Sequence, residues 1–91
     1  MSQIALNVRV VGSVQGVFFR AWTAERARDL GVAGWVRNAL DGSVEGHLEG
    51  DKAAVHELVD LLRQGPPSAQ VETVDVKVAE PEGSRHFEVR R

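Results

Sequence analysis

Apolar and polar residues alternate along the first stretch of the chain: Ile4, Leu6, Val8 and Val10 are separated by Ala5, Asn7 and Arg9. This is the period of a strand with one buried face. The pattern changes after Arg20, where Ala24, Ala27 and Leu30 recur at helical spacing over residues 21–30, with Glu25, Arg26, Arg28 and Asp29 off the stripe and Gly31 placed to cap the end. Residues 32–38 are rich in β-formers, Ala39-Leu40-Asp41-Gly42 carries an Asp-Gly turn signal, and residues 43–49 alternate through Val44, Gly46 and Leu48. A hairpin is predicted there. Asp51 is a good N-cap for a second helix whose Ala54, Val55, Leu58, Leu61 and Leu62 form an apolar stripe, stopped by Gly65-Pro66-Pro67. Val74, Val76 and Val78 define a strand over 71–78, and after a turn around Pro81-Glu82-Gly83, Phe87 and Val89 mark a short strand over 86–90.

The order is therefore β-α-β-β-α-β with a short additional strand. It predicts an α+β fold, the ferredoxin-like α/β sandwich, with an antiparallel sheet of four to five strands and two helices on one face. Right-handed crossovers return the second strand in the direction of the first, with another strand between them, so the C-terminal ends of both share one edge of the sheet. The loop after the first strand and Asn38, at the end of the second, are then expected to face each other across about 10 Å, two strand spacings.

Length and composition narrow the function classes. With 91 residues the chain is expected to form one domain, residues 1–91, of two structural layers. There is no cysteine, so neither a disulfide nor a thiolate zinc site can staple the fold. The formal charge of -2, with acids and bases interspersed, gives no basic field for a long polyanion, which argues against nucleic acid. The N-terminus lacks the sections of a signal peptide and no apolar run approaches spanning length, so a cytoplasmic protein with no membrane partner is expected.

Candidate chemistry lies in Gly12-Ser13-Val14-Gln15-Gly16-Val17-Phe18-Phe19-Arg20, where the first strand gives way to a helix. Gly12 and Gly16 allow backbone forms closed to other residues and let the chain approach an oxyanion. Backbone N–H groups in such a turn, together with the positive end of the following helix, suit a small anion. Arg20 adds a planar fork of donors matched to phosphate. The plainer reading also stands: two glycines making a tight turn and an arginine solvating a helix start. A nucleotide P-loop is excluded, because the glycines are too closely spaced and no Gly-Lys pair follows. Asn38 donates and accepts but cannot take up a proton, so it is either a turn residue or a group that orients water.

The remaining polar candidates read as structural. His47, His56 and His86 do not pair with a second ligand at a metal-binding spacing, so no metal site is expected. Ser13 has no evident His and acid partners for nucleophilic catalysis. Trp22, Trp35, Phe18, Phe19 and Phe87 are expected in the core or anchoring loops, with a stacking role possible for Phe18 only.

The stretch Val11 to Arg20 and the second stretch, Gly34-Trp35-Val36-Arg37-Asn38 continuing to Gly42, Val44 and Gly50, resemble the paired signatures of the acylphosphatase family. The resemblance implies a hydrolase acting on the carboxyl-phosphate anhydride of small acyl phosphates, on a ferredoxin-like scaffold. It implies that Arg20 and the backbone amides of Gln15, Gly16, Val17, Phe18, Phe19 and Arg20 bind the phosphoryl group and that Asn38 positions the attacking water. No cofactor is implied; inorganic phosphate is expected as product and inhibitor, and a monomer as the working form. Ser13 stands where family members often carry a basic residue, which implies a weaker local positive field.

Rival readings follow from the fold, which also hosts RNA binders and regulatory modules. RNA binding predicts aromatic residues on the central strands, and residues 4–11 and 43–49 contain none. An anion-binding module without turnover would bind phosphate yet release none from acetyl phosphate. A piece that handles carbamoyl phosphate for a larger enzyme is a third reading, and the chain ending at Arg91 without zinc-type cysteines leads us to expect the free-standing form.

Overall fold

The structure is a computed structural model that describes residues 2–91. Its elements are β1 (Gln3–Ser13), α1 (Phe19–Leu30), β2 (Ala33–Asn38), β3 (Val44–Asp51), α2 (Lys52–Gln64), β4 (Gln70–Val78) and β5 (Phe87–Arg90). They form a five-stranded sheet in the order β4-β1-β3-β2-β5. β1 and β2 flank β3 and both run antiparallel to it. The ends of β1 and β2 therefore lie at the same sheet edge, as the crossover rule requires.

Register explains the core. Leu6, Val8 and Val10 of β1 stand opposite Leu48, Gly46 and Val44 of β3, and opposite Val78, Val76 and Val74 of β4. Apart from Val76 and Val78, which are exposed on the edge strand, this face meets Ala24 and Ala27 of α1 and Val55, Leu58 and Leu62 of α2 in one buried cluster. Asp51 caps α2 as predicted, its carboxylate accepting from the Ala53 N–H at 3.2 Å. Val59, outside the predicted stripe, is buried, whereas Leu61 is only half-buried. The described residues include no helix long and apolar enough to cross a membrane.

The last strand adds a parallel pairing to a sheet otherwise antiparallel. β4 occupies one edge, so the chain must cross the open face of the sheet to reach the other edge beside β2, where β5 pairs in parallel with Gly34–Arg37. A single reversal after β4 fixes that direction. The crossing segment is fastened on the way: the Ala79 N–H donates to the Ala5 carbonyl at 3.0 Å, and the Trp35 Nε1–H donates to Glu82 at 3.0 Å. Trp35 accordingly lies on the open face rather than in the core, with the guanidinium groups of Arg37 and Arg90 4.9 and 4.6 Å from its ring centre.

Candidate active site

The loop between β1 and α1 turns sharply into the helix. Phe18 takes the left-handed conformation, φ 59 and ψ 22, with no side chain capping the helix. The helix begins at Phe19, two residues earlier than the apolar pattern suggests, which puts Arg20 in its first turn. The first intrahelical bond runs from the Trp22 N–H to the Phe18 carbonyl, 2.9 Å. The N–H groups of Phe19, Arg20 and Ala21 thus have no acceptor within the helix, and the positive end of the helix dipole lies beside them. Phe19 is buried and packs on Trp22, ring centres 5.7 Å apart, anchoring this turn in the core.

Arg20 projects from that turn. Its Nη1–H donates to the Arg90 carbonyl of β5 at 2.7 Å, and none of the ion pairs among the described residues involves it. The guanidinium keeps most of its donors, and its charge has no carboxylate to neutralise it. This carbonyl support is missing from the sequence pattern, because it depends on where β5 joins the sheet.

Asn38 ends β2, opposite Val44 of β3 and on the helix-facing side. Its Oδ1 is buried without a hydrogen-bond partner. The turn that follows is rigid: the Asp41 carboxylate accepts from the Ser43 N–H at 3.0 Å and the Ser43 hydroxyl at 2.6 Å, and pairs with Arg9. The Gln15 side chain ties the two halves of the site together, its Nε2 donating to the carbonyls of Ala39 and Ser43 at 2.8 and 2.9 Å. Gly16, Phe18, Phe19, Arg20 and Asn38 line one cavity of about 280 Å³, with Val14, Ala21 and Val89 completing the wall. Gln15 and Val17 do not line it; the Val17 carbonyl instead accepts from the Ser68 hydroxyl at 3.1 Å.

Known proteins are similar to this chain. The family model described as acylphosphatase matches residues 6–89. The chain belongs to the acylphosphatase family. An acylphosphatase of Gloeobacter violaceus is 56% identical over 88 residues, covering 97% of this chain and 95% of that protein. Solved acylphosphatase structures from Coxiella burnetii and Bacillus subtilis superpose with a TM-score of 0.93, at 36% and 32% identity. They cover 97% of this chain and, respectively, 93% and 99% of their own.

One sequence expectation needs correction. Gly12 is not part of the loop but of β1, at a register shift against β4, where a Cβ would come within 2.1 Å of the Gln70 carbonyl oxygen. Its role is close approach between strands, and Gly16, at φ 74, is the loop glycine at the cavity.

His47 also has acidic neighbours that its spacing did not announce. On β3 it shares the open face with Glu49, and the segment after β4 brings Glu82 over both, so that the three form a potential metal-ligand group. The buried ring, however, already has both nitrogens engaged: Nδ1 lies 2.7 Å from Asn7 Oδ1 and Nε2 lies 2.6 Å from Glu49 Oε2. Burial opposes ionisation of Glu49, but hydrogen bonds from the Glu82 N–H, the His47 ring and Ser84, together with the attraction of the imidazole, outweigh it and hold the carboxyl below its ordinary value. The group reads as a hydrogen-bonded clasp on the crossing segment.

Proposed function

We infer that this chain hydrolyses the carboxyl-phosphate bond of small acyl phosphates to carboxylate and inorganic phosphate, without a metal ion or other cofactor. The observation that carries this reading is that Arg20 and Asn38, arriving from different elements, line the same cavity as Gly16 at the start of a helix. The unpaired amides of the loop and first turn, with the spare donors of Arg20, grip the phosphoryl oxygens. Each charge-assisted hydrogen bond contributes roughly 1.5 to 3 kcal/mol, so a few suffice for millimolar to micromolar binding.

Chemistry then needs little more. A carboxylate is a good leaving group, so no general acid has to protonate it, and a loose phosphoryl-transfer transition state asks little of the incoming water. The Asn38 side-chain carboxamide hydrogen-bonds that water and holds it in line with the departing carboxylate. The rate gain comes from donors preorganised around developing charge and from alignment of the nucleophile. Contacts that tighten in the transition state raise kcat; contacts equal in both states only lower KM.

In this account residues 1–91 are a single domain acting as a monomer in the cytoplasm, with the acyl phosphate as its small-molecule partner and phosphate as product and inhibitor. The test is hydrolysis of acetyl phosphate by the purified protein in EDTA, beside a phosphate monoester. Release from acetyl phosphate with the monoester nearly intact is expected; a persistent need for a divalent metal contradicts the mechanism.

A further inference from the structure

Phe18 and Phe19 are neighbours with opposite fates. Phe19 is 1% exposed, whereas Phe18 is 85% exposed. Phe18 is also the one non-glycine residue among those described with positive φ, at 59°. A bulky side chain in this backbone region is strained, and glycine would adopt it freely. Such an outlier at a cavity mouth points to function. The ring neither packs in the core nor caps the helix, and Phe18 is among the residues lining the cavity that holds Arg20 and Asn38. Val89, 42% exposed, and Ala21 add apolar surface to the same cavity.

An acyl phosphate is joined to its phosphoryl group through a single bridging oxygen. Seating the phosphoryl at the loop amides and Arg20 therefore leaves the acyl substituent at the cavity wall. Arg20 is the only charged residue lining that cavity among the described residues, and in the proposed reaction it holds the phosphoryl group. Nothing else there can pair with a charged acyl tail, and desolvating an unpaired charge is costly. We propose that Phe18, supported by Val89, forms an acyl-group subsite that favours apolar, and above all aromatic, acyl phosphates over small or charged ones. The proposal rests on the reading of the site as an acyl phosphate hydrolase and names the part of the substrate that reading leaves open.

The test compares kcat/KM for benzoyl, acetyl and succinyl phosphate in the wild type, Phe18→Gly, Phe18→Asn and Val89→Ser. Glycine removes the ring while releasing the strained backbone, and asparagine tolerates the same conformation with a smaller polar group, so the ring is tested in two differently constrained loops. Comparing ratios between variants cancels the intrinsic reactivity of each substrate. Both Phe18 variants should lower the benzoyl-to-acetyl ratio about threefold to tenfold, the range of one aromatic contact; Val89→Ser should lower it less, and succinyl phosphate should remain the poorest substrate of the wild type. Unchanged ratios in both Phe18 variants, while the wild type hydrolyses the substrates, overturn the subsite alone. No hydrolysis of any of the three by the wild type overturns the underlying reading and the subsite with it.

Discussion

Arg20 and Arg90, 70 positions apart, are joined by a 2.7 Å hydrogen bond from the guanidinium of one to the main-chain carbonyl of the other. The last strand thereby orients the side chain proposed to grip the phosphoryl group. Arg20 is aimed by the end of the chain, across the gap between a helix and a sheet edge.

Removing Arg90 and Arg91 should therefore raise KM for acetyl phosphate and weaken inhibition by phosphate about tenfold, within the range expected for one hydrogen bond to a charged group. The thermal midpoint should fall little, because β5 keeps its pairing from Gly34 to Val36. Steady-state inhibition by phosphate measures the effect; an unchanged inhibition constant would show that Arg20 needs no such support.

The two glycines of the first signature should respond differently to alanine. At Gly12 the added carbon meets the Gln70 carbonyl oxygen at 2.1 Å, while at Gly16 it meets nothing within 4 Å and only the backbone, at φ 74, resists. Urea unfolding should show Gly12→Ala costing more than about 2 kcal/mol and Gly16→Ala about 1 to 2 kcal/mol. Equal costs would remove the distinction between a strand contact and a loop conformation.

Glu49 should make stability depend on pH in the acid range. Its carboxyl lies below the ordinary value of 4.5 in the folded chain, so the ionised form favours folding. That contribution is complete above the unfolded value and is lost as pH falls through the folded one. Glu49→Gln should be about 1 to 3 kcal/mol less stable than the wild type at pH 7, from lost hydrogen bonds to a charged group, and the gap should narrow as pH drops below about 4.5. Urea unfolding across that range is the measurement; a gap that stays constant with pH would mean the carboxylate charge is immaterial.

Elements that bury a single face were legible in the sequence. β1 follows the alternation of Leu6, Val8 and Val10, and α2 runs from its Asp51 cap to the Gly65 stop. The meeting of the first loop with Asn38 was legible too, since crossover handedness fixes which strand ends share an edge. Contacts that depend on the path after β4 were not. The parallel pairing of β5, the position of Trp35 under Glu82, the clasp at His47 and the carbonyl beneath Arg20 all follow from a segment crossing the open face, and its local residues carry no periodicity that announces a destination. Gly12 was misread because a loop glycine and a strand glycine look alike until the neighbouring strand is present.

The division of labour between Arg20 and Asn38 is tested most directly by paired measurements of kcat and phosphate inhibition in Asn38→Ala. Loss of water alignment should lower kcat about a hundredfold, while the inhibition constant for phosphate stays within about threefold of the wild type, because the loop and Arg20 still hold the anion. An Asn38→Ala protein that keeps its turnover, or that loses phosphate binding as severely as turnover, would contradict the account.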